Sequence, residues 1–222
     1  MKYGLIFDMD GTLWDSAEGV ASSWTEVVAR ETKLDRVITK EDIQAVMGLN
    51  MDKIADIMFP EFSEADRKAL LKKCGDNEND YLREHGGILY PDLLETMIEL
   101  KKKCHLYIVS NCQSGYIEAF LGHYHFEDLF DDILCYGDNN QDKAYNIRKM
   151  VEDNGLDKAY YIGDIQSDYL SSTAAGVPFI YASYGFGKME QPTEAISGLK
   201  DLPELVDRLF FGGKDEESSN AI

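Results

Sequence analysis

Two aspartates one residue apart stand near the start of the chain, in Asp8-Met9-Asp10-Gly11-Thr12. The residues before them, 3–7, form a short apolar run of the kind that makes a buried strand. If the strand continues through this segment, positions two apart project to the same side. Asp8 and Asp10 then face one site at the carboxyl end of the strand, where open α/β sheets bind their ligands. Two carboxylates held together ionise cheaply only when a cation or a proton compensates them. Mg²⁺ suits such a pair, being a hard ion that favours carboxylate and phosphate oxygens. Gly11 lets the backbone turn sharply away from the site. Taken alone, the same run also reads as a solvated acidic turn after a strand.

Other chemistry-bearing residues are less suggestive. The cysteines, Cys74, Cys104, Cys112 and Cys135, are scattered and form no C-x-x-C pair, so reduced structural thiols are expected. The histidines, His85, His105, His123 and His125, lack the spacing of a zinc site or a triad.

The elements that would position these residues follow from hydrophobic periodicity. Further short runs rich in Ile, Val or Tyr occur at His105–Ser110, 132–136, 159–163 and Phe179–Ala182. Helical patterns separate them: Leu93, Leu94, Met97 and Leu100 recur on one face, as do Ile147, Met150 and Val151. Strands alternating with helices imply right-handed βαβ units and a parallel sheet. Residues 17–87 break the alternation. Val20, Trp24, Val27 and Val28 share one helical face, and Ile54, Ile57 and Met58 another. Thr39-x-x-Asp42 and Ser63-x-x-Asp66 look like helix N-termini. The expected organisation is therefore a core of residues 1–16 and 88–211, an all-helical insert over 17–87, and a flexible polar tail over 212–222.

Composition narrows the partners. The 222 residues include 22 basic and 41 acidic ones, for a net charge of −19. Such a surface repels nucleic-acid phosphates and anionic membranes. No apolar run reaches the ~20 residues of a membrane span, and the N-terminal run is too short for a signal sequence. A cytoplasmic location is expected. A phosphorylated substrate is also an anion, so its site must concentrate positive charge locally through a metal, a lysine and backbone N–H groups.

The longer run Phe7-Asp8-Met9-Asp10-Gly11-Thr12-Leu13-Trp14-Asp15-Ser16 resembles the first motif of the haloacid dehalogenase-like hydrolases. Ser110-Asn111, closing the run His105–Ser110, resembles the second. Lys143 fits the third, although Ala144 stands where many relatives have proline. Lys149 and Lys158 sit too far into their segments for that role. Gly163-Asp164-Ile165-Gln166-Ser167-Asp168 resembles the fourth, and Ala174-Ala175-Gly176-Val177-Pro178 the segment after it. The resemblance implies an α/β fold, a Rossmann-like parallel sheet core with an inserted all-helical cap domain.

It also implies a division of labour. Asp8 is the nucleophile, forming an aspartyl phosphate that splits the displacement into two easier steps. Asp10 protonates the leaving oxygen and then deprotonates the attacking water. Mg²⁺ is held by Asp8, the backbone carbonyl of Asp10 and Asp164. Asp168, four residues beyond Asp164, acts behind the ligands or simply favours a helix N-terminus. Ser110 and Asn111 hold phosphate oxygens, and Lys143 neutralises charge on the phosphoryl group and on Asp8. Thr12 contributes its N–H or hydroxyl to the phosphate, or caps a helix.

Asp10 selects within the family, since phosphoester hydrolysis needs an acid that dehalogenases and phosphonatases lack. The loop Val46-Met47-Gly48-Leu49-Asn50-Met51 resembles a specificity segment of helical caps, and closure would bring Gly48 and Asn50 to the substrate. Gly48 equally reads as a plain turn. Beta-phosphoglucomutase-like members carry basic residues around that glycine. Here only Lys53 lies near, which favours hydrolysis of a small phosphorylated metabolite. Tyr184-Gly185-Phe186-Gly187 is similar to a segment of phosphoglycolate phosphatase-like members. The alternatives are a beta-phosphoglucomutase-like phosphomutase and a non-catalytic module that binds a phosphorylated ligand. A monomer or a homodimer is compatible with the sequence.

Overall fold

The computed structural model describes residues 1–190 and 194–212. The expected tail falls, from residue 213 on, outside the described residues. The strands in chain order are β1 (Tyr3–Phe7), β2 (Trp14–Asp15), β3 (Ile88–Leu89), β4 (His105–Ser110), β5 (Asp132–Cys135), β6 (Lys158–Gly163), β7 (Phe179–Ala182) and β8 (Glu194–Ile196). Six of them form one sheet in the order β5-β4-β1-β6-β7-β8, and every neighbouring pair is parallel.

Strand β1 sits in the middle of this sheet because it is apolar on both faces. Leu5 and Phe7 belong to one core cluster and Ile6 to the other. A strand covered on both sides reads as a continuous apolar run rather than an alternating one. Phe7 lies in register with Ile108 of β4 on one side and Ile162 of β6 on the other. The carboxyl ends of these three strands are therefore level. The chain runs outward through β4 and β5 and returns to the far side of β1 with β6, making a topological switch point there.

The helices between β2 and β3 are α1 (Ala17–Glu31), α2 (Lys40–Gln44), α3 (Met51–Met58) and α4 (Glu64–His85). Their starts are written locally. Thr39 and Asp42 form a capping box at α2, Asn50 caps α3 and Ser63 caps α4. Helix α1 packs along α4, and Trp24 stacks on Phe59 at 6.3 Å between ring centres. The chain leaves and re-enters the core through β2 and β3, which pair antiparallel with Trp14 opposite Leu89 and Asp15 opposite Ile88.

The remaining helices are α5 (Leu93–Leu100), α6 (Tyr116–Tyr124), α7 (Tyr136–Asn139), α8 (Lys143–Asp153), α9 (Gln166–Ala175) and α10 (Leu202–Val206). Trp14 is fully buried against α6, edge-on to Tyr116 and Phe120 at 5.6 and 5.0 Å. That contact anchors the β2–β3 ribbon to the core, and α4 also packs on α6. No described helix is long and apolar enough to cross a membrane. The fold is the expected α/β core with an inserted helical cap. The ribbon strands and β8, three residues long, were too short to read from periodicity.

Candidate active site

The site is assembled at the ends of β1, β4 and β6. Asp8 directly follows β1, Ser110 closes β4 and Asp164 directly follows β6. All three are buried. The condition that the strand carries on through Asp10 is not met. Strand β1 ends at Phe7, and the chain turns at once, with the Thr12 and Leu13 N–H groups donating to the Met9 carbonyl at 3.1 and 2.8 Å. Gly11, at φ 82°, makes the turn possible. A side chain there would meet Asp164 Oδ2 at 2.2 Å. Asp8 and Asp10 nonetheless line one cavity, brought together by the turn rather than by strand alternation.

Lys143, the first residue of α8, is buried, and its Nζ donates to Asp8 Oδ1 at 3.0 Å and to Asp168 Oδ1 at 2.7 Å. Burial works against its charge, but the Asp168 and Asp8 carboxylates outweigh that and hold it above the ordinary lysine range. The other oxygen of Asp168 accepts from the Asp164 and Ile165 N–H groups at 3.2 and 3.3 Å. Asp168 thus holds both the lysine and the backbone under Asp164. Lys149 pairs with Asp153 at the surface, and Lys158 donates to the Leu209 carbonyl, so neither reaches the site.

Asp164 Oδ2 accepts from the Phe186 N–H at 2.6 Å, whereas Oδ1 is buried with no partner. Burial first, then the Asp168 and Asp8 carboxylates, push its carboxyl up to about 8. One oxygen each from Asp8, Asp164 and Asp168 falls within 4.8 Å of the others. Three acidic side chains share one lysine, and one of their oxygens, Asp164 Oδ1, is left without a partner. An all-oxygen cluster of this kind fits a hard divalent cation such as Mg²⁺.

Asp10 is set apart from that cluster. Its Oδ1 accepts from Tyr116 and from Ser16, each at 2.7 Å, and the two hydroxyls are 2.7 Å apart. Burial pushes its carboxyl up to about 7, against the pull of these two hydrogen bonds. Thr12 caps no helix: α1 begins after Ser16, and the Thr12 N–H is taken by Met9. Its hydroxyl is buried with no partner.

The cap closes the cavity from above. Gly48 lines it at φ 82°, and its carbonyl accepts from Asn111 Nδ2 at 2.9 Å, a direct bond between cap and core. Asn50 is not brought to the cavity. Its Oδ1 caps α3 by accepting from the Lys53 N–H at 3.1 Å, while Leu49 and Met51 on either side line the space. Four residues of the site escaped sequence reasoning. Tyr116 and Gln113 carry no local signal, and Trp24 reads only as part of the apolar face of α1. Glu78 does carry one: it falls in helical step with Leu71, Cys74 and Leu82 on the buried face of α4. The segment Tyr184–Gly187 also gains a physical reason. A side chain at Gly185 would collide with Asp164 Cβ and the Gly11 carbonyl, each at 2.3 Å.

A switch-point crevice with buried aspartates, a buried lysine and a cavity beneath the cap is the arrangement of an α/β enzyme suited to phosphoryl chemistry. A family model described as haloacid dehalogenase-like hydrolase matches residues 5–182, and the chain belongs to that family. The phosphoglycolate phosphatase of Rhodospirillum rubrum is 25% identical, over 95% of this chain and 92% of its own length. That of Aquifex aeolicus is 28% identical, over 91% and 96%. A haloacid dehalogenase-like family hydrolase from Streptococcus pneumoniae has the same fold, with a TM-score of 0.72 at 20% identity over 92% of this chain and 98% of that one. The chain is a phosphatase of this family.

Proposed function

We propose that the protein hydrolyses a small phosphorylated metabolite by way of an aspartyl phosphate on Asp8, with Mg²⁺ as cofactor. The observation that carries this reading is the buried Lys143 ammonium bound to Asp8 and Asp168, with Asp8 itself lining a cavity that Asp10 also lines. Asp8 attacks phosphorus, and the bond to the leaving oxygen breaks. Asp10 supplies the proton to that oxygen, then takes one from the water that attacks the aspartyl phosphate, so phosphate leaves and Asp8 is restored. A carboxyl held near neutrality by burial suits both transfers. Lys143, Ser110, the Asn111 N–H and the unpartnered Thr12 hydroxyl stabilise the phosphoryl oxygens. Asp8, Asp164 and the Asp10 carbonyl would hold Mg²⁺, with Asp168 fixing Asp164 from behind. The ion supplies charge neutralisation for the phosphoryl group.

The phosphomutase reading is weaker. Among the described residues no Lys, Arg or His lines the cavity, so nothing there would grip a second phosphate. Asp8→Asn tests the proposal. It is expected to lower release of p-nitrophenol from p-nitrophenyl phosphate by at least ~10³-fold while the circular dichroism spectrum is kept. Turnover within tenfold of wild type would show that Asp8 is not the nucleophile.

A further inference from the structure

The cavity over Asp8 is small, about 60 Å³, and its roof is built from all four cap helices. Helix α1 contributes Val20 and Trp24, α2 contributes Ile43, α3 contributes Ile54 and α4 contributes Glu78. The floor, with Asp8 and Ser110 and with Lys143 bound behind Asp8, would take the phosphoryl group. The roof must therefore take the leaving group.

Glu78 is out of character with that roof. It is 4% exposed in a wall of aliphatic and aromatic side chains. Its Oε2 accepts from Trp24 Nε1 at 2.6 Å. No cation among the described residues lines the space to offset its charge. A carboxyl in such a place costs free energy unless something pairs with it. Satisfying the indole N–H does not require an acid, because an amide oxygen would serve. Burial accordingly pushes the Glu78 carboxyl up to about 8, against the pull of the Trp24 and Gln113 side chains, so it gives up its proton less readily than a free glutamate. An ammonium group arriving in the cavity would displace that proton and form a desolvated ion pair. A carboxylate arriving there would find no counter-charge among the described lining residues.

We propose that Glu78 anchors a cationic leaving group, so that the preferred substrates are phosphate monoesters of short amino alcohols rather than of hydroxy acids. The inference rests on the phosphatase reading and deepens it. The ester would be held at two ends of opposite charge: phosphate against Lys143 and the metal on the floor, ammonium against Glu78 in the roof. Trp24 would both hold the carboxylate in place and offer an aromatic surface beside the cation.

The test compares phosphate release from three esters that differ at one end: O-phosphoethanolamine, 2-hydroxyethyl phosphate and 2-phosphoglycolate, each with Mg²⁺. For the wild-type protein, kcat/KM is expected to fall in that order, with the ammonium ester at least ~10-fold above the carboxylate ester. Glu78→Gln, which keeps an acceptor for the indole, is expected to lower the ratio of ammonium to hydroxyl ester by at least ~10-fold. A wild-type preference for phosphoglycolate overturns the inference. So does a Glu78→Gln variant that changes all three esters in proportion, which is what a purely structural role would give. Should that variant not fold, the wild-type ranking decides alone. If p-nitrophenyl phosphate is hydrolysed and none of the three esters is, the inference fails and the phosphatase reading stands. If no ester at all releases phosphate, both fail.

Discussion

Two buried carboxyls held near neutrality, Asp10 and Glu78, face the same cavity for different physical reasons. Asp10 is gripped by Ser16 and Tyr116, which pull it down while burial lifts it. Glu78 is lifted by burial against the pull of the Trp24 and Gln113 side chains. The consequence for stability has a definite sign. In the unfolded chain Glu78 ionises near 4.5, and in the fold near 8. The fold binds the proton more tightly, so the residue's contribution is full below 4.5 and is lost as pH rises through about 8. A glutamine there never ionises. Glu78→Gln is therefore expected to gain stability relative to wild type, by a few kcal/mol, between about pH 5 and about pH 9. Urea unfolding at the two pH values measures it. A difference between variant and wild type that is the same at both would remove Glu78 as a buried, proton-binding group.

The element that matters most is the turn between β1 and β2. It reverses the chain within a few residues, brings Asp10 beside Asp8, and lets Asp164 approach the backbone of Gly11. Gly11→Ala is expected to be costly on two counts. An alanine at φ 82° is strained by about 1–2 kcal/mol. Its methyl also takes the place of the Asp164 carboxylate. Phosphatase kcat/KM is expected to fall by at least ~10-fold, with a lower midpoint in thermal unfolding. Full activity in this variant would mean that the contact between Gly11 and Asp164 has no part in the site. The cap loop is tied to the core by the hydrogen bond from Asn111 to Gly48, both of which line the cavity. Cap closure therefore bears directly on one of the residues proposed to bind phosphate.

For the whole molecule, the central electrostatic fact is a net charge of −19 on a protein proposed to bind anions. The fold buries the cation proposed to meet the phosphoryl group. Lys143 is shielded from solvent and from the acidic surface, and the carboxylate cluster beside it offers a divalent ion a site made only of oxygen. Such an ion binds the folded state alone, so Mg²⁺ at about 100 times its dissociation constant is expected to stabilise the protein by ~2.7 kcal/mol. Asp164→Asn should lose most of that shift. Calorimetry with and without Mg²⁺ compares the two, and equal shifts in both proteins would exclude Asp164 as a ligand.

Short, fully buried parallel strands announce themselves as apolar runs, and the residue that ends each run is fixed in place by the sheet. That is why Asp8, Ser110 and Asp164 could be read from the chain alone, with Lys143 following at a helix start. The β2–β3 ribbon could not be read, because two residues carry no periodicity. Nor could the setting of Asp10, whose partner Tyr116 is 106 residues away. By itself, the order of residue types determined the sheet and which candidate side chains stand at its strand ends. Tertiary structure alone decided which acids keep a proton and what lines the space above Asp8. Proton affinity depends on burial and on neighbouring charge, and here both come from segments remote in the chain.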